Sequence, residues 1–190
     1  MAAMHFTWVD FYSEFATKLM SYRDDRKTLI QKIQKVYSDI DMKFPKMESD
    51  SILKDIDPFT VFGMFNKGIT NANRIIIIKG LAAEFGIGSA IPDNFDGIPV
   101  LNNLKATFFY FQDSRGERDI DNLWNVFGDA LALAERDTAE VRQKFMQDYD
   151  TVLEQQGIRW NITMGLYWIR PYVFMNLDSR SRWFINNTEN

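Results

Sequence analysis

A chain of 190 residues, 46% apolar and 25% charged, is long enough for one domain with a proper core, or at most two small ones. The lack of cysteine excludes disulfide scaffolds, thiolate zinc sites and cysteine nucleophiles. A net charge of −4 counts against a strongly basic, non-specific nucleic-acid binder, whose affinity comes mainly from neutralising phosphates. Trp8, Phe11, Tyr12, Phe15, Leu19 and Tyr22 recur at helical spacing and predict a first amphipathic helix with Thr7 as its N-cap. Leu29, Ile33, Val36, Tyr37 and Ile40 predict a second, and Met42–Ser51, polar and containing Pro45, reads as a loop. Pro58 opens a short helix through Asn66, with Asp57 as its cap. The four isoleucines Ile75–Ile78 suit a buried strand by composition. Helix is the expectation, because Ile78, Leu81, Ala82 and Phe85 continue at helical spacing into Gly86 and Asn71 or Asn73 can cap.

Gly86–Asn103 carries Gly86, Gly88, Pro92, Gly97 and Pro99, and its length makes it a candidate functional loop. Leu104–Phe111 fits strand and helix equally. Ile120, Leu123, Trp124, Phe127, Leu131 and Ala134 mark a helix capped near Asp119. Val141, Phe145, Tyr149, Val152 and Leu153 mark another, ended by Gly157. Ile162–Ile169 reads as a buried helix stopped by Pro171, and Asp178 or Ser179 caps a last turn through Ile185. The sum is a mainly α fold, a single domain over residues 1–190 of about seven or eight helices with room for one or two short strands.

Standard active sites do not assemble from this residue set. His5 is the only histidine, which excludes Ser-His-Asp triads and multi-histidine metal sites. There is no G-x-x-x-x-G-K-(S/T) phosphate loop, and Gly86-Ile87-Gly88 lacks the third glycine of a dinucleotide fingerprint. The acid pairs Asp55/Asp57, Asp93/Asp96 and Asp119/Asp121 are explained most cheaply as caps and turn residues. Pro92-Asp93 is half of a metal-dependent nuclease pattern, but no (Asp/Glu)-x-Lys follows it. No catalytic residue, metal ligand or cofactor is therefore assigned. An enzyme would need an acid-only site among Asp93, Asp96, Asp119 and Asp121. No apolar run approaches the roughly 20 residues of a membrane span, and Met1–Asp10 lacks the pattern of a secretory leader. A cytoplasmic protein with no membrane partner is expected.

Two stretches stand out in charge and ring content. Arg23, Arg26, Lys27, Lys32 and Lys35 form a basic run that a helix would bring towards one face, where a solvated surface is its ordinary meaning. Gly157–Ile185 is denser. There Arg159, Trp160, Asn161, Arg170, Tyr172, Asn176, Arg180, Arg182 and Trp183 combine flat rings, amides and planar guanidiniums, the groups that stack on bases, read base edges and hold phosphates. Core filling stands against this, as the commoner fate of large rings in a small domain. If Ile162–Ile169 is a buried helix, Trp168 is core and the exposed rings shrink to Tyr172 and Trp183.

Several strings carry a family likeness. Asp57-Pro58-Phe59-Thr60-Val61-Phe62-Gly63-Met64-Phe65-Asn66-Lys67-Gly68-Ile69, Asp96-Gly97-Ile98-Pro99-Val100-Leu101-Asn102-Asn103, Asp119-Ile120-Asp121-Asn122-Leu123-Trp124 and the closing Trp160–Ile185 segment resemble the N-terminal region of McrB-like AAA+ proteins. Those are the motor subunits of modification-dependent, McrBC-type restriction systems, and the likeness runs from Trp8 to Ile185. It implies a DNA-recognition domain whose GTPase motor lies downstream and whose McrC-like nuclease partner is a separate subunit. The missing phosphate loop fits that division. The resemblance supplies no base-reading residues, so the nine candidates above rest on residue type alone. A protein-docking module is the alternative, since rings and arginine are enriched in protein interfaces as well.

Overall fold

The short helix predicted at Pro58 turns out to be the hub of the molecule. The computed structural model describes residues 6–49, 52–103 and 106–188, and its helices follow the apolar spacing of the sequence. They are α1 (Val9–Leu19), α2 (Arg26–Asp39), α3 (Pro58–Gly63), α4 (Asn71–Phe85), α5 (Asp119–Glu135), α6 (Ala139–Leu153), α7 (Asn161–Ile169) and α8 (Ser179–Thr188), with a 3-10 turn at Met20–Tyr22. Every residue of α3 is buried, and Asp57 caps it by accepting the Thr60 N–H at 2.9 Å. α3 packs on α5 and α7, α1 on α7 and α4, α2 on α4, and α5 on α6. Phe59, Phe62 and Phe65 meet Tyr12, Phe15, Phe108 and Phe127 around this hub. Each fully buried ring of this kind favours folding by about 1.5–3 kcal/mol over its exposed state. α7 lies close because residue 165 is glycine: a Cβ there would fall 2.5 Å from the Phe59 ring.

The buried tryptophans also fasten irregular chain to the helices. Trp8 Nε1 donates to the Asp96 carbonyl, Trp124 Nε1 to Ile56 and Trp168 Nε1 to Pro99. Glu14 accepts the Gly88 and Ser89 amides, and these bonds hold its carboxyl below the usual range. The long segment Gly86–Asn103, expected as a functional loop, is thus tied along its length as a strap across α1 and α7. Its irregular backbone is satisfied by side chains instead of by a ladder.

The other expectations meet mixed outcomes. No strand occurs among the described residues; the nearest feature is one parallel bridge between Lys67 and Leu101. The isoleucine run is helical, burying Ile77 and Ile78 while Ile76 faces solvent, as a helical turn of about 100° per residue requires. Leu104 and Lys105 lie outside the described residues, as does His5, and 106–111 is neither helix nor strand. Thr7 does not cap α1; its hydroxyl donates to Asp93 and to the Asn94 carbonyl, and Trp8 takes the cap position. Thr70, not Asn71 or Asn73, caps α4. α3 stops at Gly63, α6 at Leu153, and α8 continues past Ile185.

The basic run from Arg23 into α2 is not a free stripe. Arg26 pairs with Asp55 and Asp121, Arg23 donates to Asn125, and Lys32 and Lys35 share Glu84. The acid pairs have structural tasks too. Asp55 and Asp121 hold Arg26, Asp119 accepts the Gly116 amide, and Asp93 takes the Thr7 hydroxyl.

Candidate functional site

The ring-rich C-terminal segment divides at Pro171 between the core-facing helix α7 and the more exposed chain that returns as α8. On α7, Ile162, Leu166, Trp168 and Ile169 face the core, and Trp168 is fully buried. Beyond Arg170 the chain cannot continue as helix, because Pro171 lacks the N–H that the next turn needs. It turns through 171–178 and restarts as α8, where Asp178 accepts the Arg180 and Ser181 amides at 3.0 and 2.8 Å. The Ser181 amide is the main reason the Asp178 carboxyl sits below the usual range. None of the α8 side chains described is buried.

Two side chains, Thr163 and Arg182, hold this corner in place. The Thr163 hydroxyl donates to the Trp160 carbonyl and accepts the Leu177 amide, linking α7 to the returning chain. The Arg182 guanidinium lies 5.1 Å over the Trp160 ring and its Nε donates to the Asp178 carbonyl. Tyr172 and Trp183 are each 67% exposed, and Met175 and Phe184 stand beside them. An open concavity of about 900 Å³ runs along α8, lined by Met175, Arg180, Trp183 and Phe184. It adjoins a second of about 510 Å³ that includes Tyr172 and Asn176, the two sharing Met175 and Ser181.

The nine sequence candidates therefore fall into three groups. Trp160, Tyr172, Asn176, Arg180, Arg182 and Trp183 gather at the α7–α8 corner. Arg159 and Asn161 flank Trp160 on a separate cleft of about 430 Å³. Arg170 belongs to neither. Its guanidinium donates to the Ser13 and Ile169 carbonyls and to the Thr17 hydroxyl, so it pins the end of α7 to α1. Asn176 also has an internal task, bonding the Asp178 side chain, although its Oδ1 is buried without a partner. Residue type alone missed Met175 and Phe184 on the corner, and Tyr110 and Phe111 on the cleft. The signal for Tyr110 and Phe111 was an aromatic cluster in a stretch with no clear periodicity.

Among the described residues, no group of three or more His, Cys, Asp or Glu side chains is suited to a metal ion and no helix is long and apolar enough to cross a membrane. A family model described as "Domain of unknown function (DUF8425)" matches residues 8–189, and the chain belongs to that family. No curated protein and no solved structure matches it.

Proposed function

We propose that this member of the DUF8425 family is a non-catalytic DNA-recognition domain that engages its target through the α7–α8 corner. The observation that carries the reading is the gathering of exposed rings, Tyr172 and Trp183, with Arg180 and the Trp160–Arg182 stack on one surface. Such rings offer stacking worth about 1–3 kcal/mol per base, and guanidiniums hold the flanking phosphates. The likeness to McrB-like N-terminal regions supports a role in a restriction system, as the part that selects DNA for a GTP-driven motor and a McrC-like nuclease. The acidic balance of the chain gives modest affinity with a shallow salt slope.

Titration of the domain against matched duplexes, unmodified and carrying methylated or hydroxymethylated bases, tests this at low and physiological salt. Modification-dependent binding, weakened by Arg180→Ala plus Arg182→Ala, is the expected result. Unchanged binding in that double variant removes both arginines from the interface.

A second reading is favoured by the apolar character of the α8 concavity, where Met175, Trp183, Phe184 and Ile185 face solvent around Arg180. That surface suits an acidic partner helix with an apolar stripe. No DNA affinity even at low salt, with saturable binding of an acidic amphipathic peptide that Trp183→Ala abolishes, would establish it in place of DNA.

A further inference from the structure

We infer that the cleft between the 106–111 segment and the start of α7 is a separate binding site for one nucleotide unit, a planar ring carrying a phosphate. Its link to a DNA target rests on the reading above; its own chemistry does not. The cleft, about 430 Å³, lies within the range of small-ligand sites. One wall is aromatic. Tyr110 and Phe111 are 42% and 49% exposed, in a stretch where no helix or strand demands them. The facing wall is polar and comes from Gln156, Arg159 and Asn161.

The aromatic wall is fixed in place. Residue 157 is a glycine at φ 89°, and a Cβ there would lie 2.1 Å from the Tyr110 ring, so only glycine lets the ring settle against this backbone. Arg115 donates to the Tyr110 carbonyl and pairs with buried Glu48, and Glu48 also accepts the Gln112 amide. A ring held this way stacks on a planar ligand without first being ordered, which lowers the cost of binding.

The polar wall favours an anion. Asn161 is the first residue of α7, and its amide and that of Thr163 already donate to the Ile158 and Trp160 carbonyls, so the charge on this wall comes from Arg159. Arg159 is exposed, and its guanidinium takes part in none of the interactions found among the described residues. This sets it apart from Arg170, which is engaged with α1, and Arg182, which covers Trp160. The guanidinium takes the phosphate, the Gln156 and Asn161 amides meet the edge of the base, and Tyr110 covers its face. Trp160 lies between Arg159 and Asn161 in sequence, so a strand lying on the α7–α8 corner passes beside this cleft.

Arg159→Gly is the informative variant. Arg159 sits at φ 43°, a conformation that glycine adopts freely, so the change removes the guanidinium while suiting the backbone. Calorimetry of the whole chain with dAMP, dCMP, dGMP and TMP, and with a trinucleotide, measures the site directly. Saturable binding of at least one monophosphate is expected. Arg159→Gly should weaken it about tenfold, the loss of one charge-assisted hydrogen bond, while Tm stays level or rises. A trinucleotide binding more tightly than its monomer identifies a strand as the source; equal affinity identifies a free nucleotide. No saturable monophosphate binding, or equal affinity in Arg159→Gly, overturns the inference. Modified duplexes run on the same variant separate the two readings. Duplex binding that persists without monophosphate binding sinks the cleft alone, and monophosphate binding without duplex binding sinks the DNA reading alone.

Discussion

The hub around α3 and the corner between α7 and α8 are both built from aromatic rings, yet the rings meet opposite fates. Around α3, Phe59, Phe62, Phe65, Tyr12 and Trp124 are fully buried. At the corner, Tyr172, Trp183 and Phe184 are mostly in solvent, and α8 contributes nothing to the core. Composition does not distinguish the two. What differs is the backbone that presents the rings: a buried helix contacted by α5 and α7 in one case, and in the other a chain broken at Pro171 and restarted on the surface. Rings left in water by a chain that buries so many others are the ones to test for a partner.

The sharpest way to break the comparison is to remove one ring from each region. Trp124→Ala should cost about 3–5 kcal/mol, because it empties a closed site and leaves the Ile56 carbonyl without its indole donor. Trp183→Ala should change stability by no more than about 0.5 kcal/mol. Urea unfolding of both variants measures the difference. A comparable loss in the two would mean that α8 belongs to the core. The same Trp183→Ala protein should lose about 1–3 kcal/mol of DNA affinity if that ring stacks on a base.

This contrast was partly legible in the sequence. Regular apolar spacing located the helices, and it also marked Ile162–Ile169 as buried, which assigned Trp168 to the core and left Tyr172 and Trp183 outside. Caps were read less well. Thr7 and Asn71 are good cap residues, but the place where the chain turns into a helix is set by tertiary bonds, such as that from Thr7 to Asp93. Partners remote in sequence were invisible. Arg170 has the same residue type as Arg180, yet it bonds Ser13, 157 positions away. Glu14 and Trp8 likewise convert Gly86–Asn103 from a loop into a strap.

A smaller effect separates the two regions by pH. Asp57 is buried at the hub, its Oδ2 has no partner, and burial pushes its carboxyl up to about 6. A group whose pKa is raised on folding contributes stability fully below its unfolded value, here about 3.8, and loses it as pH rises through the folded value. The folded chain therefore carries a penalty of about 1–3 kcal/mol at neutral pH. Asp57→Asn keeps an oxygen for the Thr60 amide and cannot ionise. The stability difference between variant and wild type should shift in favour of the variant between pH 4.5 and 7. Denaturation midpoints at several pH values check this, and parallel profiles would show that Asp57 does not titrate in that window. Asp178 at the corner is pushed the opposite way, but its contribution is common to both proteins and cancels in the comparison.

The smallest effect decides whether the corner is a preformed surface. α8 is clipped to α7 through Arg182 over Trp160, an exposed cation–π contact worth about 0.5–1 kcal/mol. That is enough to bias a surface helix and too little to alter global unfolding. Arg182→Ala should therefore raise amide exchange in α8 while leaving α3 and α5 unchanged, and Arg182→Lys, with charge but no planar face, should fall between. If α8 exchange does not respond, Asp178 capping and the Thr163–Leu177 bond hold the helix unaided. In that case any loss of DNA binding in Arg182→Ala reports a direct contact, because the surface on which Tyr172 and Trp183 stand has not moved.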